Sequence, residues 1–185
     1  MSFASNIGSG FIKNILIPGW GFQDKEQSKK HLLREIVVWG TILSANKASD
    51  MFYNSYNSYA IDYADANIVN NNSKYSMDIG NYNSMSLYNE AMLRQRQGQE
   101  VYPENEGYNW SWESNSHRVK YKRMFETSDN LEKVADFAVA GLIINRLVAG
   151  ITYIYYQRTG QASKVSSDLS KDSQNTFLLN LKYNF

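Results

Sequence analysis

The sequence predicts a mainly α-helical fold: a small membrane-associated helical domain with one or two hydrophobic helices and a short C-terminal β-strand. Three observations carry this. From Val134 to Tyr156 the only strongly polar side chains are Asp136, Asn145 and Arg146, and that run is long enough to cross a bilayer. The apolar run Asn14–Ile17 is stopped by Pro18-Gly19-Trp20-Gly21 and followed by the charged stretch Asp24–Lys30. Near the C-terminus, Phe177, Leu179, Leu181, Tyr183 and Phe185 alternate with polar residues, the period of a strand.

Taken in order, residues 1–10 are rich in Gly and Ser and read as a loose lead-in, and residues 11–17 as a short apolar helical turn. Pro18 disfavours helix at Ile17, and the glycines allow a sharp reversal. Residues 25–49 read as a helix whose apolar part, Ile36–Leu43, is too short to span alone. After it, Asp50 reads as a cap, and tyrosines from Tyr53 to Tyr63 recur at helical steps. Residues 70–74 read as a loop, Tyr82–Gln97 as a second polar helix, and Gly98–Asn109 as a loop. A helix is expected from about Glu132 to Tyr156, and Asp129 with Glu132 three residues later resembles a capping box. Asn145 and Arg146 would be intramembrane polar residues facing protein, since a central Arg costs about 2.5–3.5 kcal/mol on insertion scales. In a soluble bundle, Arg146 would reach a carboxylate such as Glu35. Residues 159–175 read as a polar linker, so the domain division is 1–158 and 159–185.

Composition limits the function. The chain has 185 residues, 19 Lys+Arg against 18 Asp+Glu, and a net charge of +1, so no nucleic-acid partner is expected. It has no Cys and only two His, so no metal site or cofactor is expected. A mean hydropathy of −0.51 is too low for a polytopic transporter. Fourteen Tyr and four Trp suit bilayer headgroups or a wet interface. Trp110, Trp112, Tyr153 and Tyr156 are the candidate interfacial aromatics. The N-terminal segment has no early positive charge followed by a long apolar run, so it does not read as a signal peptide.

No constellation carries catalysis. Glu104 and Glu106 fall in a loop, His117 lies beside Ser114 and Ser116 without a spaced Asp, and the glycine motifs lack the Lys-Ser/Thr of a phosphate loop. The expected protein is not an enzyme and has no catalytic residues. The tail residues Phe177, Leu179, Leu181, Tyr183 and Phe185 are expected to dock a protein partner by strand addition, because the linker offers no obvious sheet partner.

The segment "ILIPGWGFQ", with Pro18, Gly19, Gly21 and Gln23, resembles the Pro-Gly-x-Gly-Gln motif of a Bacteroidota-type bacterial envelope family of unknown function. In that family the motif precedes a first hydrophobic helix, as Pro18–Leu43 does. A basic Tyr-Lys-Arg segment then leads into a late apolar helix, as in Tyr121–Val148, and a strand-like tail closes many members. Phe22 stands before Gln23, where the family places Gln directly after Gly. The resemblance implies a bacterial cell-envelope protein, in the inner or outer membrane, and no catalytic residues. The resulting expectation is a non-catalytic structural or scaffold subunit of the envelope, with the lipid membrane and a protein as partners. The alternative is a soluble helical ligand- or protein-binding module with an aromatic cleft.

Overall fold

The computed structural model describes residues 2–66, 72–104, 107–159, 165–171 and 177–183. It is mainly helical. Among the described residues the helices are α1 (Ser2–Leu16), α2 (Lys25–Ala64), α3 (Ser73–Asn81), α4 (Met85–Arg94) and α5 (Asn115–Thr159), with a 3-10 turn at Gly98–Glu100. The chain groups into two compact units. The first takes residues 1–44 and 133–185, and the second residues 45–132. Helices α2 and α5 contribute to both.

In the first unit α1 is longer than its Gly/Ser-rich sequence indicates, and covers the expected lead-in. One of its glycines serves close packing. Gly10 is buried, and any side chain on it would collide with the Tyr153 ring. Asp24 caps α2, its Oδ1 accepting from the Glu26 N–H at 2.9 Å. Helix α2 then runs through Asp50 without a break. No Gly or Pro interrupts it there, and an exposed Asp costs a helix interior only about 0.7 kcal/mol. The reading of Asp50 as a cap is therefore corrected.

In the second unit the helix expected over Tyr82–Gln97 is α4, and α3 is a helix of its own that begins inside the expected loop at 70–74. Asn72 caps α3 by accepting from the Lys74 N–H at 2.9 Å. Ser84 caps α4 from the Leu87 N–H at 3.3 Å. Helix α5 begins well before the Asp129 pattern: Ser114 Oγ accepts from the His117 N–H at 3.2 Å, one residue ahead of Asn115. Ser128 is buried and forms a reciprocal clasp with α2. Its Oγ donates to the Ser49 carbonyl at 3.0 Å, and Ser49 Oγ donates to the Ser128 carbonyl at 2.9 Å. The capping-box reading is corrected accordingly.

The core of this unit is aromatic. Tyr56, Tyr75, Tyr88, Trp110, Trp112 and Tyr121 are all buried and pack with Ala60, Ala64, Ile79 and Met92. Beyond α5, the backbone of β1 (Val165–Lys171) lies antiparallel to that of β2 (Phe177–Tyr183), with Val165 opposite Tyr183 and Lys171 opposite Phe177. Part of the segment read as a linker thus supplies an internal neighbour for the tail. Among the described residues no third strand joins this pair. Phe185 lies outside the described residues.

Candidate functional site

The reversal after α1 is organised by one buried side chain. Asn14 is fully buried. Its Oδ1 accepts from the Gly19 N–H at 2.9 Å and the Gly21 N–H at 3.4 Å, and its Nδ2 donates to the Gly10 carbonyl at 2.9 Å. One amide thus satisfies both the end of α1 and the turn that follows. Gly19 has φ 99°, where L side chains are strained, and a Cβ there would lie 2.5 Å from the Ser28 carbonyl oxygen. Pro18 is buried, Gly21 is half-buried against Asn14, and Gln23 is exposed. Phe22 is buried, stacks on His31 at 5.2 Å, and meets Tyr153 and Tyr156 edge-on at 5.6 and 6.0 Å.

The first unit buries several polar residues among apolar ones and exposes many large apolar side chains. Asn14, His31, Glu35, Asn145 and Thr152 are buried. Glu35 accepts from both α5 polar residues: Asn145 Nδ2 at 3.2 Å, and Arg146 Nε and Nη2 at 3.2 and 2.8 Å onto one oxygen. The Glu35 side chain is 8% exposed and that of Arg146 33%. The inward stripe of α5 is otherwise mostly small or aliphatic, with Ala135, Ala138, Leu142 and Ala149 buried. Small residues and hydrogen-bonded polar groups at helix contacts are the packing pattern of helices in lipid. Outward lie Val139, Ile143, Leu147 and Ile151 on α5, a stripe at four-residue steps, each 44% exposed or more. On α2 they are matched by Leu33, Ile36, Val37 and Leu43, each 58% exposed or more. Helix α5 also holds an 18-residue window apolar enough to cross a membrane, and only 39% of that window is buried.

The second unit carries a different arrangement. Trp110 and Trp112, expected at a lipid headgroup, are buried. The correction has a clear cause, since each indole N–H is satisfied by a backbone carbonyl. Trp110 donates to Tyr82 at 3.0 Å and Trp112 to Ile79 at 2.8 Å. Lys74 joins a polar cluster on Asp78, Tyr88 and Glu100 at 3.0, 2.7 and 3.2 Å, and Tyr102 donates to Asp78 at 2.8 Å. Burial works against the Lys74 charge, but its hydrogen bonds to Tyr88, Asp78 and Glu100 outweigh that and hold the ammonium above its usual range. Burial, with the hydrogen bond to Asp78, pushes the Tyr102 phenol up. Burial alone does most of the same for Tyr56, raised to about 12. A cavity of about 560 Å³ opens beside Tyr56, walled by Tyr53, Tyr56 and Phe125 and edged by Asp50, Asp129 and Glu132.

Of the other sequence candidates, Tyr153 is buried and Tyr156 half-buried, both against Phe22. His117 bonds the Tyr59 hydroxyl through Nδ1 at 2.5 Å and stacks on Tyr63 at 4.1 Å, which makes it a packing residue. The tail residues Phe177, Leu179, Leu181 and Tyr183 are placed only by their backbone pairing, opposite Lys171, Leu169, Ser167 and Val165. Among the described residues no group of His, Asp or Glu has the spacing of a metal site. Sequence reasoning passed over Asn14 and the Phe22–His31 stack. The available signal was a polar residue inside an apolar run, four residues after a glycine. Compared with protein-family models, with curated proteins and with solved structures, the chain matches none.

Proposed function

We propose that the first unit seats in a lipid bilayer and that the protein is a non-catalytic structural or scaffold subunit of a bacterial cell envelope. The carrying observation is the exposed apolar surface of that unit. Large apolar side chains of α2 and α5 point outward in stripes, while Asn14, Glu35, Asn145 and Thr152 are turned inward among apolar residues. In water such stripes would be a contiguous apolar patch of the kind that marks an interaction surface. In lipid they face their preferred solvent, and Arg146 is held by Glu35 instead of facing hydrocarbon. The second unit then carries the scaffold role, and the β1–β2 segment offers its free edge to a partner strand.

The second reading, a soluble binding module, draws on the aromatic and acidic cavity beside Tyr56. Carbonate extraction of membranes from expressing cells separates the two. On the membrane reading the full chain stays in the pellet, and its release into the supernatant would favour the soluble module.

A further inference from the structure

The exposed charge of the first unit is gathered at one end. The last turn of α1, the first turns of α2 and the last turn of α5 converge there, because Phe22, in the turn between α1 and α2, packs its ring on Tyr153 and Tyr156 of α5. These segments carry Lys13, Lys25, Lys29, Lys30, Arg34 and Arg158, all exposed. Among the described residues of these segments, Asp24 and Glu26 are the exposed or half-exposed acids that oppose them. Asp24 is engaged as the cap of α2, and Glu26 pairs with Lys30 at 2.8 Å. The exposed Trp20 sits in the same collar with Lys13 over its ring at 5.9 Å. At the opposite end of the unit's helices, Lys133 and Asp136 cancel.

We infer that this basic collar is a docking surface for anionic phospholipid headgroups, and that it sets which lipids the protein prefers and which end of the unit lies at the charged surface. The inference rests on the membrane reading above. Two features commit it to a lipid partner. The cations border the outward apolar stripe directly, with Arg34 beside Leu33 and Ile36, so an anion that meets them must lie where an apolar phase ends. Lys and Arg stems lie along apolar surface while their heads reach the polar boundary, and Trp favours the same depth. The charge is also one-sided, six cations against two carboxylates for an excess of four, which complements an anionic leaflet.

The test is cell-free synthesis of the full chain in the presence of vesicles, followed by flotation. One set of vesicles is phosphatidylcholine alone, and in the other part of it is replaced by phosphatidylglycerol. Recovery should be higher with the anionic vesicles, and the excess should vanish at about 1 M salt, where the screening length is about 3 Å. Each cation is worth roughly fivefold in partitioning, so Lys25→Gln/Lys29→Gln/Arg34→Gln should weaken the anionic preference roughly 100-fold and leave phosphatidylcholine recovery unchanged. Equal recovery from both vesicle types at low salt, or a preference that salt leaves intact, would overturn the collar while the membrane reading stands. Flotation with neither vesicle would overturn both. If the triple variant fails to fold, the salt dependence of the native chain decides alone.

Discussion

Raising the pH should remove a defined part of the second unit's stability, and one hydroxyl carries it. Tyr56 is 5% exposed and its phenol is raised from 10.0 to about 12, chiefly by burial. The folded chain therefore holds this proton more tightly than the unfolded chain. The corresponding stability is fully present below pH 10 and is lost as pH rises toward 12. A two-unit shift at 1.36 kcal/mol per unit amounts to about 3 kcal/mol, of which about 1.4 kcal/mol is gone by pH 11. Tyr56→Phe keeps the ring and its edge-on contacts with Tyr53, Tyr121 and Phe125 at 5.4–5.5 Å, and removes the titration. The assay is urea unfolding of both proteins followed by circular dichroism, stepped from about pH 8 to pH 11. The difference between them should be flat up to about pH 9.5 and then move in favour of the variant. With a slope of about 2 kcal/mol per molar urea, the relative midpoint moves by about 0.7 M at pH 11. A difference that stays constant across the range, or that moves in favour of Tyr56, would refute the reasoning.

Three further positions, Gly19, Gly40 and Glu35, probe the first unit. Gly19→Val places a β-branched residue at φ 99° with its Cβ 2.5 Å from the Ser28 carbonyl, and should cost 3 kcal/mol or more, on the order of the known strain terms; thermal stability and membrane recovery should both fall. Gly40→Ala, with nothing within 4 Å of the added carbon, should instead be neutral or stabilising by about 1 kcal/mol, and the same melting experiment checks it. Glu35→Leu strands the Arg146 guanidinium and should destabilise by roughly 3 kcal/mol, whereas Glu35→Leu/Arg146→Leu should recover most of that. A double-mutant cycle with no coupling between the two positions would show that the pair does not act as a unit.

The legible parts of the fold were those written in periodicity. The apolar run from Val134 to Tyr156 reads directly as helix, and the Pro-Gly-x-Gly segment reads as a break, because both signals are local. The start of α5 lies upstream because the Asp129 and Glu132 pattern only mimics a cap: the helix runs unbroken through both from Asn115. The clasp between Ser128 and Ser49 on α2, 79 residues apart, adds a contact there that no window reveals. Residues 1–10 read as loose because Gly and Ser are poor helix formers in isolation. The role of Gly10 as the recess for Tyr153 depends on a partner late in the chain. Trp110 and Trp112 were assigned to a headgroup belt on residue type. Only the carbonyls of Tyr82 and Ile79 show that their polar edges are satisfied indoors. In the candidate site, Glu35 was named as a possible partner of Arg146, while Asn14 was hidden by its small size and its reputation as a loop residue.

The pairing of Glu35 with Arg146 has a consequence for the order in which the molecule is made. The two residues are 111 positions apart, so Glu35 leaves the ribosome well before its cation exists. At about 5–20 residues per second the wait is roughly 6–20 s. Throughout it the carboxylate has water but not Arg146, and an unpaired charge is costly to bury. The second unit, made from one uninterrupted stretch of chain, has all its parts during that interval. The unit begun first is therefore the one finished last: α1 and the first part of α2 have no complete partner until the second half of α5 has been made.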